Sequence, residues 1–361
     1  MYSSAAKKSE ACMCDFYLDA TGVYQYRPKF TVSPRTVVIQ GDIRRLSPSK
    51  KSLAKRPSTF ISTFIFFHGN EGQGNPLMEA VAGYGRSLKL TYPQMRFRSI
   101  QFETGSPDTS EVVTAVIREF SLLKGEERQE VDTEVLYRHG QRLIKTPVRL
   151  HLDAVAQAPW KQGGVYLITG GMGALGSIWA RYLAERYQAR LILTGRSVCQ
   201  GDIGKSIHVF IKQLQQLGGD AVYLQADITE PHAVRQLIEQ AYQAFGPVRG
   251  LIHAAGQMSA VSFAEKSLAD FQQTLSAKIQ GTLVLDRVLH ESIEKQALDI
   301  VIYFSSAAST LGDFGQCDYA IGNRFLDGYG RFREGLRTQG QRQGRTVVVN
   351  WPLWREGGMH P

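Results

Sequence analysis

The chain has 361 residues, which is enough for two domains that each bury a core of their own. Its hydrophobic content of 43% and its 35 glycines are typical of a soluble α/β protein, although the formal net charge is +9. No segment approaches the length of a membrane span, the N-terminus has no apolar signal core, and the 4 cysteines have neither metal-ligand nor secreted spacing. We therefore expect a cytoplasmic protein with reduced thiols, no metal site and no membrane partner.

Residues 1–56 contain a hairpin pattern followed by a basic stretch. Residues 11–18 and 23–32 alternate around Thr21-Gly22, and a cluster of lysines and arginines lies within 44–56. The basic cluster lacks interleaved aromatic residues and lies among serines and prolines, so we interpret it as a solvated linker and expect no nucleic-acid partner. The role of residues 1–56 stays open.

An α/β pattern begins at Thr59. Strands are predicted at 60–67 and 97–102, helices at 76–90 and 110–123, and a hairpin of 131–137 with 141–150 across His139-Gly140. The glycines within 68–74 do not have dinucleotide-loop spacing. Residues 57–160 are therefore interpreted as a degenerate, truncated Rossmann-like subdomain that braces the next one and binds nothing.

Residues 161–361 alternate strands and helices regularly. Strands are predicted near 165–169, 190–194, 221–225, 249–254, 299–305 and 346–350, with helices between them. This alternation predicts a doubly wound parallel sheet with right-handed crossovers. The fold class is α/β, with two Rossmann-like halves of which the second carries the site.

A glycine-rich turn joins the first strand of this second half to an apolar-periodic helix. Such a turn exposes backbone N–H groups to a pyrophosphate at the positive end of a helix. The strand, turn, helix and strand order predicts dinucleotide binding, whereas glycines alone would also fit an ordinary loop. The residues expected to contact the cofactor here are Thr169, Gly170, Gly171, Gly173, Ala174, Leu175 and Gly176.

Three later strand ends add to the predicted cofactor site. Gly195-Arg196-Ser197 offers a guanidinium and a hydroxyl where an NAD enzyme usually has a carboxylate, so NADPH is favoured over NADH; the alternative is a solvated surface arginine. Asp227 could accept a hydrogen bond from the adenine amino group or cap the helix before Pro231, and these roles are compatible. The further candidates are Arg196, Ser197, Asp227, Ile228, His253, Ala254, Ala255 and Gly256.

Four polar residues downstream are candidates for carbonyl reduction: Lys278, Ser306, Tyr319 and Asn323. A tyrosine needs help to release its proton near neutral pH, and an ammonium group such as that of Lys278 stabilises the phenolate. A serine hydroxyl polarises the carbonyl, and an asparagine can hold a water that reloads the proton. Each residue alone has a duller interpretation, as a surface lysine, a buried serine or a helix tyrosine.

The set resembles the ketoreductase domains of modular polyketide synthases, within the short-chain dehydrogenase/reductase superfamily. Ordinary members have Tyr-x-x-x-Lys, but here Asn323 follows Tyr319 by four and the lysine lies upstream at Lys278. Ser306 precedes Tyr319 by thirteen residues, as in that family. The similarity covers about 59–358 and includes Thr169-Gly170-Gly171-x-Gly173-x-Leu175-Gly176, His253-Ala254-Ala255-Gly256, Asn350-Trp351-Pro352-Leu353-Trp354, Tyr137-Arg138-x-Gly140 and the Pro76–Leu88 helix.

The resemblance implies a reaction and a set of partners. A β-ketoacyl thioester on the phosphopantetheine arm of an acyl carrier protein would be reduced by NADPH to a β-hydroxyacyl thioester, beside neighbouring synthase domains. Tyr319 would donate the proton, Ser306 would hydrogen-bond the carbonyl, Lys278 would lower the pKa of the tyrosine and hold the cofactor ribose, and Asn323 would support the relay. Lys278 and Tyr319 thus count among the cofactor contacts.

Departures from the family pattern bear on the product and on the chain ends. Ala260 replaces the aspartate that marks one hydroxyl configuration, and Leu311 replaces a tryptophan frequent in domains of the other. The missing aspartate favours the A-type, L-hydroxy product. The ending Glu356-Gly357-Gly358-Met359 resembles that of synthases that borrow their acyltransferase in trans. The chain stops at Pro361, where family members usually continue into a helix that covers the substrate, as expected of a domain cut from a larger synthase.

Two other functions remain open at this point. One is a free-standing NADPH reductase of a diffusible ketone, against which the degenerate first half argues. The other is a cofactor-binding but unreactive domain inside a synthase, against which the complete set of Lys278, Ser306, Tyr319 and Asn323 argues.

Overall fold

The computed structural model describes residues 75–93, 96–103, 109–125, 133–149, 158–259, 261–262, 265–292 and 296–354, together with the backbone of four strand segments nearer the N-terminus. The first two of these segments, β1 (Tyr17–Leu18) and β2 (Tyr24–Gln25), pair antiparallel on either side of the predicted Thr21-Gly22 turn. The rest of the predicted hairpin and the basic cluster lie outside the described residues. Within the described part of the chain, no helix is both long and apolar enough to cross a membrane.

Among the described residues, the first half contains a five-stranded mixed sheet and two helices. The sheet order is β3-β4-β5-β6-β7, in which the three central strands run parallel and each edge strand runs antiparallel to its neighbour. In chain order the elements are β3 (Val37–Gln40), β4 (Thr63–Gly69), α1 (Pro76–Thr91), β5 (Arg96–Phe102), α2 (Thr109–Gly125), β6 (Glu134–Arg138) and β7 (Gln141–Ile144).

Local sequence signals explain several of these boundaries. The Asn75 side chain accepts a hydrogen bond from the Met78 N–H and so caps α1, which lies where it was predicted. His139 and Gly140 have φ values of 49° and 73°, the left-handed pair that the tight β6–β7 turn needs. The second hairpin strand was predicted to reach residue 150, but it ends at Ile144. Pro147 lies in the predicted extension and has no N–H to donate to a neighbouring strand. Strand β3 lies in a stretch for which no element was predicted.

The second half contains a parallel six-stranded sheet. The sheet order is β10-β9-β8-β11-β12-β13, the doubly wound dinucleotide-binding order, which changes direction between β8 and β11. All six predicted strands are confirmed. They are β8 (Val165–Thr169), β9 (Arg190–Gly195), β10 (Asp220–Gln225), β11 (Val248–His253), β12 (Gln296–Ser306) and β13 (Arg345–Trp351).

Helices cover both faces of this sheet. Side chains alternate along each strand, so neighbouring residues of one strand pack against helices on opposite faces. Leu167 packs in a core cluster with α5, α7 and α9, whereas Ile168 packs in a second cluster with α3 and α4. A π-helical turn, Ala277–Gly281, connects α6 to α7. The helices are α3 (Ala174–Tyr187), α4 (Gly201–Gln216), α5 (Pro231–Phe245), α6 (Leu268–Ser276), α7 (Thr282–Glu291), α8 (Ala308–Leu311) and α9 (Cys317–Thr338).

Helix α1 of the first half packs directly against α9. Gly83 allows this approach, since a Cβ there would lie 2.7 Å from the Ala320 carbonyl oxygen. The Asp313 N–H donates to the Ser87 hydroxyl over 3.0 Å, and the Gly315 N–H donates to the Thr91 hydroxyl over 3.1 Å. The first half therefore holds the start of the helix that carries Tyr319.

Candidate active site

The glycine turn lies where the sheet order changes direction. Thr169 at the end of β8 is in register with His253 at the end of β11. Gly170 has a φ of 67°, and a Cβ there would lie 2.9 Å from the Ala255 Cα. A Cβ on Gly176 would lie 2.3 Å from the Gly170 carbonyl oxygen. The turn can therefore fold this tightly only with glycine at both positions.

A cleft of about 880 Å³ runs from this turn to the ends of β12 and α9. Most of the predicted cofactor residues line it, whereas Gly171 and His253 do not. A Cβ on Gly171 would lie 2.9 Å from Leu193 Cδ2, so this glycine packs behind the wall. The predicted residues that line the cleft are Thr169, Gly170, Gly173, Ala174, Leu175, Gly176, Arg196, Ser197, Asp227, Ile228, Ala254, Ala255, Gly256, Lys278, Ser306 and Tyr319.

His253 is fully buried beneath the cleft floor. Its Nδ1 lies 2.7 Å from the Thr169 hydroxyl, and burial, together with the nearby charge of Lys278, lowers its pKa to about 3. The imidazole is therefore neutral at physiological pH. Its position indicates that it joins the ends of β8 and β11 below the backbone that the cleft exposes.

Arg196 and Ser197 lie at the outer rim, where their backbone is held from β10. The Gln225 side-chain amide donates to the Arg196 carbonyl over 3.1 Å, and the Tyr223 hydroxyl donates to the Ser197 carbonyl over 2.9 Å. The Arg196 side chain itself is exposed at the cleft.

Asp227 is organised by its own loop. Its Oδ1 accepts from the Thr229 N–H over 2.9 Å and from the Thr229 hydroxyl over 2.7 Å. The capping alternative for Asp227 is wrong, because the N-cap of α5 is Glu230, which makes no side-chain cap bond. The carboxylate instead closes a turn that places it on the cleft wall.

Tyr319, Ser306 and Asn323 come together at the inner end of the cleft. Ser306 ends β12, and Tyr319 lies in the first turn of α9. Burial raises the pKa of Tyr319, while hydrogen bonds with the Ser306 and Asn323 side chains act in the opposite direction. Asn323 is buried behind the tyrosine and does not line the cleft, and its amide donates to the Tyr319 carbonyl over 2.8 Å.

Lys278 reaches the same end of the cleft from the π-helical turn. Its Nζ donates to the Phe304 carbonyl over 2.9 Å and lies 5.9 Å from the centroid of the Tyr319 ring. Burial lowers the pKa of Lys278 to about 8. Gly256 and Gly322 leave room for its stem, since Cβ atoms there would approach it to 3.0 Å and 3.3 Å.

Some residues of the cleft were not predicted as site residues. Asp313, in the loop before α9, lines the cleft and acts to raise the pKa of Tyr319. The 351–354 segment was noted only as a motif, yet all of it lines the cleft, beside Ser306, with which Trp351 is in register. The one available signal for Asp313 was its position in the glycine-flanked Leu311-Gly312-Asp313-Phe314-Gly315 loop.

Comparison with known proteins assigns the family. The sequence profile described as "KR domain" matches residues 164–356, more than half of the chain. The chain belongs to the KR domain family. The chain is 37% identical over 286 residues to polyketide synthase PksM of Bacillus subtilis (strain 168), covering 78% of this chain and 6% of that synthase. For polyketide synthase PksN of the same organism, identity is 36% over 297 residues, covering 80% of this chain and 5% of PksN.

Solved structures support the same assignment. A ketoreductase domain from the bacillaene assembly line matches with a TM-score of 0.69 and 32% identity, over 82% of this chain and 66% of that one. The predicted resemblance and the predicted Rossmann-type fold class are thereby confirmed. Because the chain spans only about 6% of the length of its curated relatives, the activity and partners of a whole synthase do not transfer to this KR domain directly.

Proposed function

We propose that this KR domain uses NADPH to reduce a β-ketoacyl thioester, held on the phosphopantetheine arm of an acyl carrier protein, to a β-hydroxyacyl thioester. The observation that carries the proposal is one continuous cleft with the glycine turn at one end and Ser306, Tyr319 and Lys278 at the other. In this function the neighbouring domains of a synthase and the carrier protein are its partners.

The cleft fits a dinucleotide phosphate. Its size is within the range of cofactor sites, and Gly170, Gly173 and Gly176 line it without side chains, so bare backbone faces the ligand. Arg196 offers a guanidinium at the rim, and neither of its neighbours, Gly195 and Ser197, is acidic. An arginine there would hold a 2′-phosphate and favour NADPH over NADH. When bound, NADPH supplies the hydride that the carbonyl carbon receives.

The chain itself supplies the proton and stabilises the developing charge. The Ser306 hydroxyl would hydrogen-bond the carbonyl oxygen, and the Tyr319 hydroxyl would donate its proton to that oxygen and become a phenolate. Lys278 stabilises this phenolate as an ammonium held against the Phe304 carbonyl. Asn323 fixes the first turn of α9 through the Tyr319 carbonyl and supports the return of the proton.

The proposed product has the L configuration. This proposal rests on Ala260, which lies outside the described residues and replaces the aspartate of the opposite type. Leu311 lines the cleft and is 69% exposed, so a substrate would meet an aliphatic side chain at this position.

The test follows NADPH consumption with a short β-ketoacyl thioester and reads the product configuration by chiral chromatography. Tyr319→Phe should reduce turnover by about 10²- to 10⁴-fold and leave NADPH affinity, measured by fluorescence, nearly unchanged. Tyr329→Phe is the matched control, because it removes a buried hydroxyl from the same helix, one that bonds Asp286 away from the cleft.

The outcomes separate the candidate functions. Turnover by wild type and Tyr329→Phe but not by Tyr319→Phe supports the proposal. NADPH binding without turnover in the wild type would favour the unreactive domain, and turnover of free ketones but not thioesters would favour a free-standing reductase. Failure to bind NADPH would overturn the cofactor assignment.

A further inference from the structure

Asp327 is a buried carboxylate on the face of α9 that carries the site. Tyr319, Asn323 and Asp327 follow each other at intervals of four residues, so they lie along one face of the helix. Asp327 is 7% exposed and does not line the cleft. The proposed reaction gives it no role, although a buried carboxylate is expensive to keep without a function or a strong set of partners.

The partners of Asp327 are the residues that follow Ser306. Its Oδ2 accepts from the Ser309 hydroxyl over 2.6 Å and from the Asn350 amide over 3.3 Å. The Asn350 amide also donates to the Ser309 hydroxyl over 2.9 Å. One carboxylate oxygen therefore joins α9, the turn after β12 and the end of β13.

The same turn is fastened on its other side. The Ala307 N–H donates to the Trp351 carbonyl over 2.9 Å, and the Ala308 N–H donates to the Ser306 hydroxyl over 3.2 Å. With Ser309 held by Asp327, the 306–309 turn has little freedom to move relative to α9.

A cation links Asp327 to the first half. Arg324 Nη1 lies 3.5 Å from Asp327 Oδ2, and Arg324 Nη2 lies 2.5 Å from Glu134 Oε2. Because Glu134 contacts Arg324 more closely, Arg324 would keep a partner if the charge of Asp327 were removed. Asp327→Asn is therefore expected to fold.

We propose that Asp327 is a positioning residue for reduction, which fixes the 306–309 turn against α9 and so sets the geometry of the Ser306–Tyr319 pair before substrate binds. This role rests on the proposed function, since it concerns the same two hydroxyls. Asp327 acts through Ser309 and Asn350 and touches neither substrate nor cofactor.

The negative charge of Asp327 allows its positioning role to be tested by the pH dependence of activity as well as by kcat. Lys278 is faced by Tyr319 and Asp327 from α9 and by the neutral His253 from β11. Burial lowers the pKa of Lys278, and the Asp327 carboxylate acts to raise it. Removing that negative charge moves the pKa of Lys278 further down, so an activity that needs the ammonium is lost at a lower pH.

The experiment compares Asp327→Asn, Ser309→Ala and Asp286→Asn in the full chain. Asp327→Asn should lower kcat by about ten- to a hundredfold, leave the KM for NADPH within about twofold, and shift the alkaline limb of the pH profile downward. Ser309→Ala should lower kcat without that shift. Asp286→Asn is the control, because Asp286 is as deeply buried and binds Arg333 over 2.6 Å, yet it should change stability alone.

Hydrogen exchange provides a readout that needs no turnover. Asp327→Asn and Ser309→Ala should speed amide exchange in the 304–312 peptide, whereas Asp286→Asn should not. An unchanged peptide in both variants overturns the proposal, and so does a wild-type kcat and pH profile in Asp327→Asn. An inactive wild type with the expected exchange pattern would refute the proposed function and leave supported only the restraint that Asp327 places on the 306–309 turn.

Discussion

Replacing Glu134 by glutamine tests how firmly the first half holds the helix that carries Tyr319. Glu134 is 9% exposed and contacts three cations: Arg324 at 2.5 Å, Lys145 at 2.6 Å and Arg86 at 3.0 Å. Burial by itself would raise the pKa of this carboxyl, but the charges of Arg324, Lys145 and Arg86 together lower it to about 2. The ionised form is therefore strongly favoured in the folded protein.

The size of this pKa shift sets the expected loss of stability. A decrease from 4.5 to about 2 corresponds to a free energy of about 3 kcal/mol. Removing one member of a buried ion pair generally costs about 3–5 kcal/mol, so both arguments agree in magnitude. Because the folded pKa lies below the unfolded one, this stability is fully present above about pH 4.5 and is lost as the pH falls toward 2.

Urea unfolding followed by circular dichroism measures the effect. Glu134→Gln should lower the free energy of unfolding by about 3 kcal/mol at pH 7. Between pH 4.5 and pH 2, the free energy of unfolding should fall much less in this variant than in the wild type. Glu103→Gln is the control, because Glu103 pairs with Arg138 at the surface and its loss should cost less than about 1 kcal/mol. Equal, small effects of both substitutions would refute the reasoning, as would an unchanged acid dependence in Glu134→Gln.

Three further predictions concern the cleft. Arg196→Ala should weaken NADPH binding about tenfold or more and NADH binding far less; equal losses in a fluorescence titration would remove the 2′-phosphate assignment. Wild-type kcat should fall above about pH 8 as Lys278 loses its proton, and a profile that is flat to pH 10 would show that the ammonium is not needed. Gly176→Ala should reduce NADPH affinity, because its Cβ would lie 2.3 Å from the Gly170 carbonyl oxygen. Gly173→Ala is the control, since its Cβ would lie 3.1 Å from the same oxygen. Similar NADPH affinities of the two variants would contradict the predicted tightness of the turn.

The second half was predictable from the sequence because its central strands, such as β8 and β11, are buried on both faces. Such strands are continuous apolar runs, and β8 is buried at every position, so its bounds could be placed to the residue. Strand β3 was missed, because its four residues pair with a single neighbour and lie in a polar, basic stretch that masks a short apolar run. Edge strands depend on a partner that is distant in sequence, and local patterns carry little information about it.

The sequence identified which residues belong to the site, but it did not show which of them line the cleft. Motif spacing selected Gly171, His253 and Asn323, yet the structure places all three behind the cleft wall, since a motif does not reveal which way each residue faces. Nor does the sequence show that Lys278 lies on a π-helical turn, which inserts an extra residue between α6 and α7 and aims the side chain at the Phe304 carbonyl. The sequence analysis did not single out Asp327, because a single acidic residue in a helix normally indicates a solvated face.

The first half has no predicted ligand, but it has a structural role. It contacts polar residues that are buried along α9. Asp318, Arg324 and Asp327 are buried on a helix whose mean hydropathy is low, and each must find a partner or lose stability. Asp318 pairs with Lys266 over 2.5 Å, and Arg324 pairs with Glu134 of the first half over the same distance. Apolar packing tolerates small shifts of a helix along its axis, whereas directional charged contacts do not. The first half therefore adds, through Glu134, a directional restraint on α9 to those that the second half provides through Lys266, Ser309 and Asn350.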